Sequence, residues 1–79
     1  MGADDVRVLD LVGLNCPLPV LKSRRALAGM APGERLEIRA SDPLASIDVP
    51  HMVAEDGHRL VDQRRDGAVL IFLVAKGDG

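Results

Sequence analysis

Apolar and polar residues alternate along the chain with two different periods, and the changes of period divide it into six elements. Segments rich in β-branched residues alternate in steps of two, as in Leu36-Glu37-Ile38, which is typical of strands. Other segments carry apolar residues every three or four positions, as helices do. The pattern predicts strands over residues 6–12, 34–41, 58–65 and 68–75, and helices over residues 17–30 and 43–55.

The helical period also predicts which face of each helix is buried. In the first helix the predicted inner face holds Val20, Leu21, Leu27 and Ala28. In the second helix, which Asp42 would cap and Pro43 would open, the predicted inner side holds Leu44, Ile47, His51 and Ala54. Because proline has no backbone N–H, Pro50 predicts a kink or a restart within the second helix.

The order of elements predicts the fold. A β-α-β-α-β-β chain is best satisfied by an α/β two-layer sandwich, in which two helices cover one face of a four-stranded mixed sheet. Residues 68–75 are apolar on both faces, which favours an interior strand. Asp66-Gly67 is typical of a two-residue hairpin between the last two strands. The length of 79 residues predicts a single domain over residues 1–79, ordered from about 6 to 77.

Composition excludes several classes of function. The net charge is −2 and the only aromatic residue is Phe72, so we expect no direct nucleic-acid partner. No apolar run approaches the roughly 20 residues of a membrane helix. The start Met1-Gly2-Ala3-Asp4-Asp5 lacks the basic and apolar regions of a signal peptide, so we expect a cytoplasmic protein without a membrane partner. A single cysteine excludes an internal disulfide.

That cysteine begins the most informative motif, Cys16-Pro17-Leu18-Pro19, which directly follows a strand and a turn. The predicted position is at or next to the cap of the first helix, where the partial positive charge would lower the pKa of a thiol. The two prolines have no N–H, so only Leu18 and Val20 would donate to the sulfur. We therefore expect an exposed thiol that is activated, but not deeply stabilised as a thiolate.

The other residues of the sequence narrow the range of reactions that this thiol could perform. Dithiol chemistry needs a second cysteine, and a cysteine hydrolase needs a base, whereas no sequence signal ties His51 or His58 to Cys16. One cysteine and two scattered histidines are a poor zinc ligand set, and we expect no cofactor. Transfer of a group between proteins remains, with sulfane sulfur as the cargo. A regulatory module with a purely structural cysteine, or a thiol redox sensor, stays open as an alternative.

The sequence resembles the TusA/SirA-like family of small sulfur-carrier proteins from about Val8 to Gly77. The resemblance rests on Cys16-Pro17-Leu18-Pro19, on the approach from Leu9 to Asn15, and on basic residues in the first helix. It also rests on Ser41-Asp42-Pro43, Asp48-Val49-Pro50 and Gly57-His58 further along the chain.

This resemblance implies a persulfide relay that works as a sulfurtransferase-type carrier. Cys16 would hold the persulfide, Pro17 and Pro19 would shape the site, and Asp10 would brace the preceding loop. The basic residues Lys22, Arg24 and Arg25 would dock partners, although Arg24 is equally expected to be an apolar stem with a solvated head. The implied partners are a cysteine desulfurase or rhodanese-like donor and a downstream acceptor. The implied pathways are tRNA thiolation, molybdenum cofactor assembly and sulfur oxidation.

Overall fold

The computed structural model describes residues 6–78, and the predicted order of elements is confirmed. The elements are β1 Val6–Leu11, α1 Leu18–Ala28, β2 Arg35–Ala40, α2 Ala45–Glu55, β3 Arg59–Asp66 and β4 Val69–Ala75. Their bounds differ from the predicted ones by at most two residues, at ends where capping geometry rather than periodicity decides. The acidic start at residues 1–5, on which the signal-peptide argument rests, lies outside the described residues.

The sheet has the strand order β1-β2-β4-β3, so β4 is an interior strand as predicted. Strand β1 runs parallel to β2, and β4 runs antiparallel to both β2 and β3. The predicted hairpin joins β3 to β4, but its two loop residues are Gly67 and Ala68, one position later than expected, because Asp66 pairs with Val69. Gly67 has a φ of 60°, which few residues other than glycine adopt easily.

The core lies between one face of this sheet and the two helices. Alternate residues of β2, namely Leu36, Ile38 and Ala40, are fully buried and sit opposite Val74, Phe72 and Leu70 of β4. The α/β two-layer class is therefore confirmed. Phe72 is the only aromatic residue in the sequence, and its side chain is fully buried. The rest of the hydrophobic core is therefore built from leucine, isoleucine, valine, alanine and methionine side chains.

The buried face of α1 differs from the predicted one. Pro19, Ser23 and Leu27 are buried and lie four residues apart, while Leu21 is 52% exposed. Ala28 is exposed as well. The prediction was wrong for Leu21 and Ala28, because hydrophobic periodicity gives no weight to a serine at the centre of a buried stripe.

The inner side of α2 was also predicted in the wrong phase. Ala45, Val49, Met52 and Val53 are buried. The residues expected there are on the outside: Leu44 is 52% exposed, Ile47 is 68% exposed, and His51 and Ala54 are exposed. Both sets have helical spacing, so periodicity alone could not choose between them. Pro50 lies inside α2 without the expected restart, since the helix continues from Ala45 to Glu55.

Arg24 ties the two helices together at their outer side. Its Nε donates to Asp56 Oδ2 over 2.7 Å, and its NH2 group donates to Glu55 Oε1 over 2.7 Å and to Asp56 Oδ1 over 3.1 Å. Its guanidinium lowers the pKa of Asp56, chiefly through these hydrogen bonds. This forked arrangement fixes the end of α2 against the middle of α1.

We expect Ser23→Ala to stabilise the fold. The Ser23 side chain is fully buried, and within residues 6–78 its hydroxyl has no hydrogen-bond partner. Removing a buried, unpaired hydroxyl from a helix should raise the free energy of unfolding by about 1 kcal/mol. Urea unfolding measures the difference. Ser46→Ala is the control, because its hydroxyl donates to the Pro43 carbonyl over 2.8 Å and its loss should lower stability. Lower stability in Ser23→Ala would contradict the conclusion that the buried Ser23 hydroxyl is unpaired.

We expect Arg24→Gln to destabilise the fold at neutral pH by an amount that disappears in acid. A carboxyl whose pKa is lowered by folding contributes stability above its ordinary pKa, and this contribution is lost as the pH falls through the folded value. The urea midpoints of the wild type and the variant should therefore begin to converge below about pH 4 and meet only below the lowered pKa of Asp56. The control is Arg64→Gln, whose guanidinium is 3.7 Å from Glu37 and 60% exposed. A difference that is constant with pH would refute the role of Asp56.

Candidate persulfide site

The candidate site lies where the two parallel strands end. Leu11 at the end of β1 is in register with Ala40 at the end of β2. Because the carboxyl ends of parallel neighbours meet at one edge of a sheet, the loops that follow them are brought together. The Gly13 N–H donates to the Ser41 hydroxyl over 2.8 Å and joins the two loops directly.

Cys16 stands one residue before the cap of α1, which is Pro17. The cysteine is exposed, and the Cys16–Pro17 peptide bond is cis. The Leu18 N–H, which was expected to donate to the sulfur, instead donates to the Asn15 carbonyl over 2.9 Å. That expectation was wrong, since the turn before the helix takes up this donor for itself.

Asp42 holds the cysteine backbone in place. Its Oδ2 accepts from the Cys16 N–H over 2.6 Å, while its Oδ1 accepts from the Leu44 N–H over 3.0 Å. One carboxylate thus joins the segment before α1 to the turn before α2. The sequence predicted Asp42 as the cap of the second helix, but that helix begins at Ala45 and Asp42 caps the preceding turn.

Asp48 holds the sulfur itself. The Cys16 Sγ donates to Asp48 Oδ2 over 3.3 Å. This hydrogen bond, followed by desolvation and by the charges of Asp48 and Asp42, raises the pKa of the Cys16 thiol above its ordinary value. The predicted lowering of the pKa was wrong, because the Asp48 carboxylate accepts the hydrogen bond of the thiol and the charges of Asp48 and Asp42 both disfavour the thiolate.

A pocket of about 210 Å³ opens beside the sulfur. Its lining combines the apolar side chains of Val20 and Met52 with charged groups, and it also includes Cys16, Pro17, Arg24, Asp48, His51 and Glu55. His51 Nε2 is 3.9 Å from Glu55 Oε2. Sequence analysis missed that His51 lies near Cys16. The spacing of Asp48, His51 and Glu55 was the available signal, because residues three and four apart share one helix face.

The other predicted site residues occupy three different places. Asp10 Oδ1 accepts from the Val12 N–H over 3.1 Å, directly after β1. Lys22 and Arg25 are exposed and, together with Arg7 and Leu9, line a depression on the β1 side of α1. Arg24 faces α2 instead, where Asp56 and Glu55 take up its guanidinium. The three basic residues therefore do not form one surface.

His58 has a structural contact away from the sulfur. Its Nδ1 accepts from the Gly77 N–H over 3.0 Å, and desolvation and the charge of Lys76 lower its pKa. Between residues 6 and 78, no three His, Cys, Asp or Glu side chains are grouped to hold a metal ion. In the same part of the chain, neither helix has the length and apolar character needed to cross a bilayer.

The sequence is similar to known proteins over nearly its whole length. Residues 7–76 match the family model described as sulfurtransferase TusA. The sulfur carrier protein TusA of Allochromatium vinosum is 35% identical over 74 residues, which cover 94% of this chain and 97% of that protein. Since these matches span nearly the whole chain, the protein belongs to the sulfurtransferase TusA family.

Proposed function

We propose that this protein is a sulfur carrier that holds sulfane sulfur as a persulfide on Cys16 and passes it to a partner protein. The observation that supports this most is the exposure of the Cys16 thiol at the start of the Cys-Pro-x-Pro segment. A buried cysteine would act as a small apolar side chain, whereas an exposed one can meet the sulfur of another protein. The family membership agrees with this role.

Loading of Cys16 is an exchange between two sulfur atoms. The Cys16 sulfur attacks the outer sulfur of a persulfide on the donor and forms a new S–S bond. The S–S bond of the donor breaks, and its electron pair leaves with the donor cysteine. Since one S–S bond replaces another, the step needs no outside oxidant. Discharge is the same exchange with the acceptor thiol as the attacking group.

Three residues support this chemistry by holding the loop that carries the cysteine. Pro17 caps α1 and the buried Pro19 fills its first turn, so both limit the backbone conformations next to the sulfur. Asp10 accepts the backbone N–H of Val12 in the turn that follows β1. Their proposed role is to present Cys16 in one orientation.

The proposed partners are a cysteine desulfurase or rhodanese-like donor and a downstream acceptor protein. They would meet an apolar rim made of Leu18, Leu44 and Ile47, which are 42%, 52% and 68% exposed. Leu18 lies two residues after Cys16 and begins α1, while Leu44 and Ile47 lie in the segment between Asp42 and Asp48. The cytoplasm is the proposed location, because an exposed unpaired thiol persists in a reducing compartment.

We expect Cys16→Ser to abolish sulfur loading. Incubation of the reduced protein with a cysteine desulfurase and cysteine should add the mass of one sulfur atom to the wild type and none to the variant. Intact-protein mass spectrometry measures the gain, and cyanide, which removes sulfane sulfur, should reverse it. The variant should keep the urea unfolding midpoint of the wild type. Sulfur uptake by Cys16→Ser, or a sulfenic acid as the main product at Cys16, would refute the proposal.

We expect the double variant Lys22→Glu/Arg25→Glu to slow protein-to-protein transfer at low salt. These residues would attract an acidic patch on the partner, and attraction between exposed charges falls with ionic strength. Transfer reactions with the same desulfurase, quenched at set times, give the rate of sulfur transfer at low and at high salt. Arg64→Glu/Arg65→Glu, on the exposed strand β3, is a charge-matched control. Equal rates for the two double variants would count against docking at Lys22 and Arg25.

A further inference from the structure

The charges around Cys16 oppose the usual arrangement for a reactive thiol. Asp48 Oδ2 accepts the hydrogen bond of the sulfur over 3.3 Å, and Asp42 Oδ2 accepts that of the Cys16 backbone over 2.6 Å. Two carboxylates on α2 and on the turn before it therefore face the start of α1. Each disfavours a negative charge on the sulfur.

The basic side chains that line the pocket do not cancel this effect, because each of them faces a carboxylate other than Asp48. The Arg24 guanidinium is held 2.7 Å from both Asp56 Oδ2 and Glu55 Oε1. The imidazole of His51 lies 3.9 Å from the Glu55 carboxylate. Together with Glu55 itself, these are the other charged or titratable groups that line the pocket beside Cys16, and Arg24 and His51 both face the Glu55 carboxylate.

We propose that Asp48 makes Cys16 selective for partners that carry a positive charge beside their reacting sulfur. The inference rests on the proposed function and names the chemistry of the partner surface. In the exchange reaction, negative charge spreads over the attacking, central and leaving sulfur atoms, close to Asp48. A cation on the partner offsets the carboxylate there, whereas an anion adds to the repulsion.

The same contact keeps the thiol of the free protein in a protonated, slowly reacting form. Without a partner, the thiol donates to Asp48, and its raised pKa keeps the thiolate fraction low at neutral pH. Because the thiolate is the nucleophile, such a thiol reacts slowly with electrophiles that lack a positive charge. A partner with a central cation within an apolar contact surface would fit both Asp48 and the apolar rim.

Small disulfides test the inference without a partner protein. Reduced protein reacts with cystamine, which is cationic, with bis(2-hydroxyethyl) disulfide, which is neutral, or with dithiodiglycolate, which is anionic. Each exchange forms a mixed disulfide at Cys16 and releases one small thiolate, and intact-protein mass spectrometry of acid-quenched samples follows the gain in protein mass. Dividing each rate constant by that of neutral N-acetylcysteinamide with the same reagent removes the intrinsic differences between the reagents.

The wild type should prefer the cationic to the anionic reagent by about fivefold or more at low salt, since one charge at contact distance is worth about that factor even in water. The preference should shrink toward unity at about 1 M salt, where screening is strong. Asp48→Asn should lose most of the preference and react faster with the neutral reagent at neutral pH. Asp48→Glu should keep the preference, because it keeps the charge.

The control is Asp62→Asn, which removes an equal charge from exposed strand β3 at the far side of the sheet and should leave the preference unchanged. A wild type without a charge preference, or an Asp48→Asn variant that keeps it, would overturn the inference. Sulfur uptake separates this result from the proposed function. A protein that loads sulfur but ignores reagent charge refutes only the role of Asp48, whereas one that discriminates charge but never loads sulfur refutes the carrier proposal.

Discussion

The site depends on the parallel pairing of β1 and β2. That pairing places Leu11 opposite Ala40, so the loop that carries Cys16 and the turn that carries Asp42 leave the sheet side by side. The Asp42 carboxylate then binds the N–H groups of Cys16 and Leu44 at once, with one oxygen for each. Because the same turn leads into α2, it also sets where Asp48 meets the sulfur. A change in strand register would separate all these groups.

Two electrostatic effects compete at Cys16, and their distances decide the outcome. A helix N-terminus stabilises a thiolate through its free N–H groups, but here proline occupies two of the first positions, and the Leu18 N–H binds the Asn15 carbonyl. Asp48 is in direct hydrogen-bond contact with the sulfur. Contact with a carboxylate outweighs a partial charge with few available donors, so the pKa of the thiol is raised. A carrier must both take up and release sulfur, and a thiol that stays protonated until a partner arrives suits a relay better than a permanently reactive one.

The sequence predicted the order of elements, the interior position of β4 and the exposed cysteine, because alternation, turn residues and the Cys-Pro-x-Pro segment are local signals. It did not predict the buried face of α2, since Leu44-Ile47-His51 and Ala45-Val49-Met52 both have helical spacing and only packing chooses between them. It also missed the contacts of Asp42 and Asp48 with Cys16, which lie 26 and 32 residues apart in the chain. For Arg24 the sequence predicted a docking role or a solvated head, but not its ion pairs with Asp56 and Glu55, which leave the side chain 41% exposed.

The ionisation of the Cys16 thiol in the free protein tests the central claim most directly. The Cβ chemical shift of isotope-labelled Cys16, followed by NMR as a function of pH, reports the pKa of the thiol without any reagent. The same titration in urea gives the value for the unfolded chain. The account predicts a higher pKa in the folded protein than in the unfolded chain. A folded value equal to or below the unfolded one would contradict it, because the helix N-terminus and not Asp48 would then control the sulfur.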